Sequence, residues 1–255
     1  MSDRSWEQVV TGRTGAGVRR SRDGRVYRKS GVGEVRGELA DERDRLLWLA
    51  ETDLPTASVL DWEDDGDTAT LTTSALAGVP LSELPGSSVP GALKSFGLFL
   101  QRLHGWPRET CPFDRWLAVT VPSARVRVDE GLVDEDDFDA EREGASAEDL
   151  VNRLIDARPR AEELEVGDMV VCHGDACLPN FLVDPESLDV TGMVDVGRLG
   201  VADRHLDLAL AARSMTDTSL NPAYGPAAAE AMLAVYGLPA DPWRLDFYRL
   251  LDEFF

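Results

Sequence analysis

Short segments that alternate between apolar and polar positions occupy the first seventy-odd residues, around Val9, around Val18, from Val26 to Lys29, from Val59 to Trp62 and from Thr70 to Thr73. A period of two marks strands with one buried face, and Asp23-Gly24 is a dipeptide that closes hairpins. Between the third and fourth segments the period changes. From Glu34 to Glu51, the positions Val35, Leu39, Glu42, Leu46 and Leu49 recur at steps of four and three, which puts them on one face of a helix. Glu42 thereby falls on the buried stripe, where an ionised carboxylate is costly unless a cation meets it. The chain has two lysines, Lys29 and Lys94, and Lys29 ends the strand just before this helix.

After Ala77-Gly78 the pattern becomes mainly helical, with helices expected over Leu93 to Leu103, Pro226 to Tyr236 and about Pro242 to Phe254. The acid-rich stretch Asp129 to Arg142 reads as a solvated loop. Among the helices lies VVCHGDACLPNFLVDPESLDVTGMVDVGR, which reads as an apolar strand, a polar loop, a strand, an Asp184-Pro185 turn and a strand that ends at Asp195. The expectation is an α+β chain in two lobes: an N-terminal antiparallel sheet with one helix, then a larger, mainly helical part. No internal repeat interrupts that order.

Composition narrows the class. At 255 residues, 43% hydrophobic and 29% charged, the chain is that of a soluble globular protein able to bury a substantial core. No apolar run approaches the roughly 20 residues that cross a bilayer, and MSDRSWEQVV lacks the apolar stretch of a signal peptide, so no membrane partner and a cytoplasmic location are expected. Cys111, Cys172 and Cys177 form no CxxC pair and read as reduced thiols. The formal net charge of -21 argues against nucleic acid, whose backbone needs a basic face. Residues 1 to 78 carry 11 basic and 15 acidic side chains, against 15 and 32 in 79 to 255. Such a field draws cationic ligands into a cleft; solubility alone is the plainer explanation.

Asp175, Asn180 and Asp195 all offer oxygen ligands on a loop and a strand end that a hairpin would bring together, which suits a hard cation such as magnesium. Phosphoryl transfer needs metal ions to neutralise phosphates and a carboxylate to orient or deprotonate the attacking hydroxyl. Asp175 fits the base, and Asn180 with Asp195 the metal. An Asp-x4-Asn pair by itself is equally the mark of turn capping. The lysine and glutamate that phosphate binding also requires are present in Lys29 and Glu42, found independently from the helical period.

HGDACLPN followed by VDVGR resembles the catalytic and metal motifs of the aminoglycoside phosphotransferases, distant relatives of the protein kinases. The likeness covers nearly the whole chain: ERDRLLWL resembles the family's Lys-partner helix, GLVDEDDFD its acidic insertion, LGVADRHLDLALAAR the segment after the metal motif, and FYRLLDEFF the ending of the 3'-type enzymes. The resemblance implies a bilobal protein-kinase-like fold, with 1-73 as nucleotide-binding lobe, 74-78 as hinge and 79-255 as catalytic and aminoglycoside-binding lobe. It implies ATP and Mg2+ as cofactors. Asp175 is then the catalytic base, Asn180 and Asp195 hold magnesium, Lys29 contacts the α- and β-phosphates and Glu42 orients Lys29. Gly12 to Gly17 lies where the family's phosphate-covering loop lies, with Thr14 and Gly15 at the nucleotide. Ser74 carbonyl and Leu76 amide would meet adenine. On the substrate side it points to Asp139, Glu141, Arg198, Asp217, Glu253 and the terminal carboxylate of Phe255, an acidic set that suits a polyamine. His173 is expected to brace the loop rather than act as base. The expected activity is phosphorylation of the 3'-hydroxyl of kanamycin- or neomycin-class antibiotics, conferring resistance, with no obligate protein partner. A streptomycin 3''-kinase, a non-catalytic acidic binding module and a metal-dependent phosphohydrolase are the competing readings.

Overall fold

Alternating β-branched and small residues build the first sheet, in the order β1-β2-β3-β5-β4. The strands are β1 (Trp6–Gln8), β2 (Gly17–Ser21), β3 (Val26–Val32), β4 (Val59–Asp64) and β5 (Thr68–Ser74). This computed structural model describes residues 5–9, 15–237 and 241–255. Every pairing in the sheet is antiparallel, and the register sets Lys29 opposite Leu71. Ala69 and Leu71 are buried, so the strand turns one face inward. The turn between β2 and β3 is the Asp23-Gly24 hairpin: Gly24 takes φ 70°, and Asp23 Oδ1 accepts from Ser21 Oγ at 2.6 Å and Arg25 N at 3.2 Å.

Helix α1 (Glu34–Leu49) follows β3 directly and buries Leu39, Glu42, Arg45, Leu46 and Leu49. Gly31, near the end of β3, has no room for a side chain, because a Cβ there would run into Val35. A smaller sheet, in the order β6-β8-β9, joins β6 (Val79–Pro80), β8 (Phe181–Val183) and β9 (Val190–Met193). Asp184 Oδ1 closes the β8–β9 turn by accepting from the backbone N–H groups of Glu186 and Ser187, both at 2.8 Å. These elements belong to one compact unit, Met1–Leu84 with Pro179–Arg198.

The second unit, Pro85–Leu178 with Leu199–Phe255, is mainly helical. Its helices are α2 (Val89–His104), α3 (Leu117–Asp129), α4 (Ala147–Glu165), α5 (His205–Thr216), α6 (Pro226–Tyr236) and α7 (Pro242–Asp252). A two-stranded antiparallel ladder pairs β7 (Met169–Cys172) with β10 (Gly200–Asp203). Leu117, Val121, Leu150, Leu154, Leu210, Phe247 and Leu251 form its core. Asp241 caps α7 by accepting from Trp243 N at 3.1 Å and Arg244 N at 3.2 Å. The expected helix ends lie within a few residues of the observed ones. Helices α3 to α5 give weaker signals. Val119 and Val126 of α3 are exposed, Pro122 and Pro159 lie inside α3 and α4, where proline argues against a helix, and α5 is buried nearly all round, which erases a period. Among the described residues no helix is long and apolar enough to cross a membrane.

Candidate active site

In the first unit the strand β3 and helix α1 bring a cation to the carboxylate that the helical period buries. Lys29 Nζ donates to both oxygens of Glu42 at 2.8 Å, and it also contacts the carboxylate of Asp195. The side chains of Lys29 and Glu42 are 22% and 10% exposed, so the pair is largely withdrawn from water, whereas Asp195 is half exposed. Burial pulls the Lys29 pKa down, but Glu42 and Asp195 outweigh it and hold the ammonium above its usual range. Lys29 is therefore a fixed positive charge.

Asn180 and Asp195 flank the β8–β9 hairpin. Phe181 pairs with Met193, and Val194 N donates to the Asn180 carbonyl at 2.9 Å, so the residues just before β8 and just after β9 lie together. Asp195 has φ 54°, a left-handed conformation rare outside glycine. The turn after it, Val196–Arg198, packs on α1, where Gly197 approaches Glu42 and Glu38. Two oxygen donors on one rigid hairpin, one of them already facing a cation, fit a hard divalent ion such as magnesium.

In the second unit the HGD loop is suspended from a buried carboxylate that the sequence reading did not single out. Asp207, fully buried in the first turn of α5, accepts from His173 N at 2.7 Å and Gly174 N at 2.9 Å. His104 Nε2 lies 3.0 Å from the same carboxylate, and His104 Nδ1 lies 2.7 Å from the Tyr236 hydroxyl. Gly174 takes φ 83°, which lets both amides point one way. Asp175 N donates to His173 Nδ1 at 3.2 Å, so His173 braces the residue two places on. Burial, and next the Asp175 charge, push the Cys177 thiol well up, so it stays protonated. None of Cys111, Cys172 and Cys177 is in a disulfide.

Asp134 to Asp137 are exposed, as a solvated loop would be, but the end of the acidic segment, Asp139 to Arg142, is a compact ionic cluster. Arg142, with a side chain 2% exposed, meets Glu253 at 3.3 Å and Asp246 at 2.7 Å. Glu253 also accepts from Asp139 N at 3.2 Å. Burial, and next the Asp139 charge, push Glu253 up to about 7 despite Arg142 and Arg213. Arg213 pairs with Asp252 at 2.9 Å and Asp139 at 3.5 Å, and Arg249 with Glu141 at 2.6 Å and Asp139 at 3.4 Å. Asp139, Glu141 and Glu253 are thus brought together. Asp217 ends α5, where its Oδ1 accepts from Ser219 N, Ser219 Oγ and Leu220 N. The Phe255 ring lies 5.1 Å from the Arg115 guanidinium and 5.8 Å from that of Arg127. Arg198 ends the turn after Asp195.

Ser74 closes β5 opposite Val26, and its Oγ accepts from Ser58 N at 2.9 Å. Leu76 lies against Gly192, where a Cβ would come within 2.8 Å of it. Gly15 lies beside Val35, and Thr14 lies outside the described residues. Among the described residues two further groups of His, Cys and acid side chains come close enough to share an ion. One is the Asp207 group already occupied by loop amides and His104; in the other, Arg244 bridges Asp203 and Asp168, meeting the latter at 2.7 Å.

Residues 11–248 match the phosphotransferase enzyme family APH. An aminoglycoside 3'-phosphotransferase of Streptomyces fradiae is 44% identical over 220 residues, 86% of this chain and 80% of that protein. The crystal structure of an aminoglycoside-3'-phosphotransferase of type VIII superposes with a TM-score of 0.91 at 41% identity, covering 100% of this chain and 95% of the other. The APH(3'')-Id phosphotransferase of Streptomyces rimosus, in complex with ADP and streptomycin, gives 0.88 at 35% identity over 99% and 93% of the two chains. With the family match spanning most of its length and relatives this similar along it, the chain belongs to the APH phosphotransferase enzyme family.

Proposed function

We propose that this protein transfers the γ-phosphoryl group of ATP to the 3'-hydroxyl of kanamycin- and neomycin-class aminoglycosides, and so confers resistance to them. The observation that carries the reading is the Lys29–Glu42 ion pair in contact with Asp195, a fixed cation beside a metal-binding carboxylate. A phosphohydrolase has no need of that pair. Support for the acceptor comes from the 3'-phosphotransferases at 44% and 41% identity, and support for the nucleotide from the ADP held by the Streptomyces rimosus enzyme.

In this reading 1-73 forms the nucleotide-binding lobe, 74-78 the hinge, and 79-255 the catalytic and aminoglycoside-binding lobe. Lys29 engages the α- and β-phosphates and Glu42 fixes its direction. The loop containing Thr14 and Gly15 covers the phosphates, and Ser74 carbonyl with Leu76 amide receives adenine. Asn180 and Asp195 hold magnesium, which when bound neutralises phosphate charge. Asp175, steadied through His173, accepts the proton of the 3'-hydroxyl; that oxygen bonds to the γ-phosphorus and the bond to the bridging oxygen breaks, releasing ADP. Asp139, Glu141, Asp217, Glu253 and Phe255 line the antibiotic side, with Arg198 organising carboxylates. A kinase drawing on ATP works where ATP is, which puts it in the cytoplasm.

Turnover of a panel of kanamycin, neomycin and streptomycin with ATP and magnesium, read as ADP release, tests the reading. Kanamycin and neomycin should be consumed and streptomycin spared. Preference for streptomycin would favour a 3''-kinase instead.

A further inference from the structure

We propose that Arg249 is an internal cation seated on Asp139 and Glu141, which an ammonium group of the antibiotic must displace in order to bind there. The inference rests on the reading of those two acids as substrate-side groups. Among the described residues three arginines lie within 4.0 Å of Asp139, and they are held unequally. Arg142 is enclosed and cannot leave: besides Glu253 and the Asp246 carboxylate, it bonds the Asp246 carbonyl at 3.2 Å. Arg213 is anchored elsewhere, by Asp252 at 2.9 Å and the Cys177 sulfur at 3.9 Å, and only brushes Asp139 at 3.5 Å.

Arg249 is attached differently. One nitrogen makes both contacts, Nη2 to Glu141 Oε2 at 2.6 Å and to Asp139 Oδ2 at 3.4 Å, while its buried Nε has no hydrogen-bond partner. Glu141 is 61% exposed, so water reaches the stronger contact. An ion pair that open is worth no more than about fivefold in an equilibrium, so little holds the guanidinium on Glu141 against a competing ammonium. The seat is therefore already shaped for a cation, and the exchange of guanidinium for ammonium keeps its charge balanced. With Arg249 in place, a neutral hydroxyl at the same point of the sugar has no charge with which to displace it. Arg249 thus sets a threshold that amino groups pass.

Calorimetric titration of neamine into wild type, Arg249→Gln, Arg249→Met and Arg249→Lys tests this. The two neutral variants should bind neamine about two- to fivefold more tightly than wild type, because no resident cation has to move. Arg249→Lys should stay within about twofold of wild type, since it keeps the charge. Affinity that is equal or weaker in folded Gln and Met variants would overturn the displacement, as would failure of both to fold, which would make Arg249 a structural member. Turnover of neamine by wild type is measured alongside. An inactive wild type sinks the kinase reading, whereas an active wild type whose neutral variants bind no tighter sinks only the role of Arg249.

Discussion

Burial by itself would lower the Lys29 pKa, and Glu42 and Asp195 reverse the sign. A pair so enclosed is asymmetric in its energetics: removing Lys29 leaves Glu42 buried and unpaired, removing Glu42 leaves Lys29 with Asp195 alone, and removing both leaves neither buried charge. Lys29→Ala and Glu42→Ala should therefore each lose activity and stability, and the double variant should lose less than the two losses summed. Additive effects in a thermal-melt and kcat/KM cycle would mean that the contact carries no energy. Asp175→Ala should cut kcat by roughly 10²- to 10⁴-fold, the usual worth of a general base, while ATP binding holds. Retention of more than about a tenth of kcat counts against Asp175 as base. Glu253 makes a prediction in pH. Its value of about 7 lies above the ordinary 4.5, so between those limits the folded protein binds more protons than the unfolded chain. Stability then falls as pH rises through that window and levels off above it. Glu253→Gln removes this contribution, so its Tm should gain on that of wild type from about pH 4.5 to about pH 7; parallel Tm curves would contradict it.

Elements decide which of these residues the sequence could reveal. Glu42 is legible because α1 has one apolar stripe and a carboxylate on it stands out. Asp195 and Asn180 are legible because an Asp-Pro turn between two apolar runs declares the hairpin that joins them. Asp207 belongs to a helix buried on nearly every side, where no period separates an inward position from an outward one. It is nevertheless the residue that holds the HGD loop, through two backbone amides and His104. Asp207→Asn should lower kcat and Tm together, because an amide replaces the acceptor of charge-assisted bonds each worth about 1.5 to 3 kcal/mol. Unchanged kcat in a folded variant would show that the loop is held by other means. The arginines of the acidic turn are equally hidden from a linear reading: Arg249 and Glu141 are 108 residues apart in sequence, and Arg213 comes from yet another helix. Asp139 and Glu141 therefore read as part of a solvated run although both are paired. Asp217 behaves as a turn cap, a role that its residue type alone makes common.

At the scale of the molecule, the net charge of -21 acts on both substrates with opposite signs. It attracts a polycationic antibiotic and repels ATP, and salt screens both effects. Raising ionic strength should increase KM for kanamycin and leave KM for ATP unchanged or lower; a parallel rise in both would show that the field does not steer either ligand. The division into a sheet-bearing and a helical part was legible from the change of period near Gly78. The membership of Pro179–Arg198 in the sheet-bearing unit was not, because the segment lies far along the chain. Transfer to the 3'-hydroxyl is a chemical outcome at one oxygen atom. Kanamycin incubated with the protein, ATP and magnesium should give a single phosphorylated product whose phosphorus couples, by two-dimensional phosphorus–proton NMR, to the proton on C3'. A phosphate at any other position, or ADP formed with no phosphorylated sugar, would contradict it.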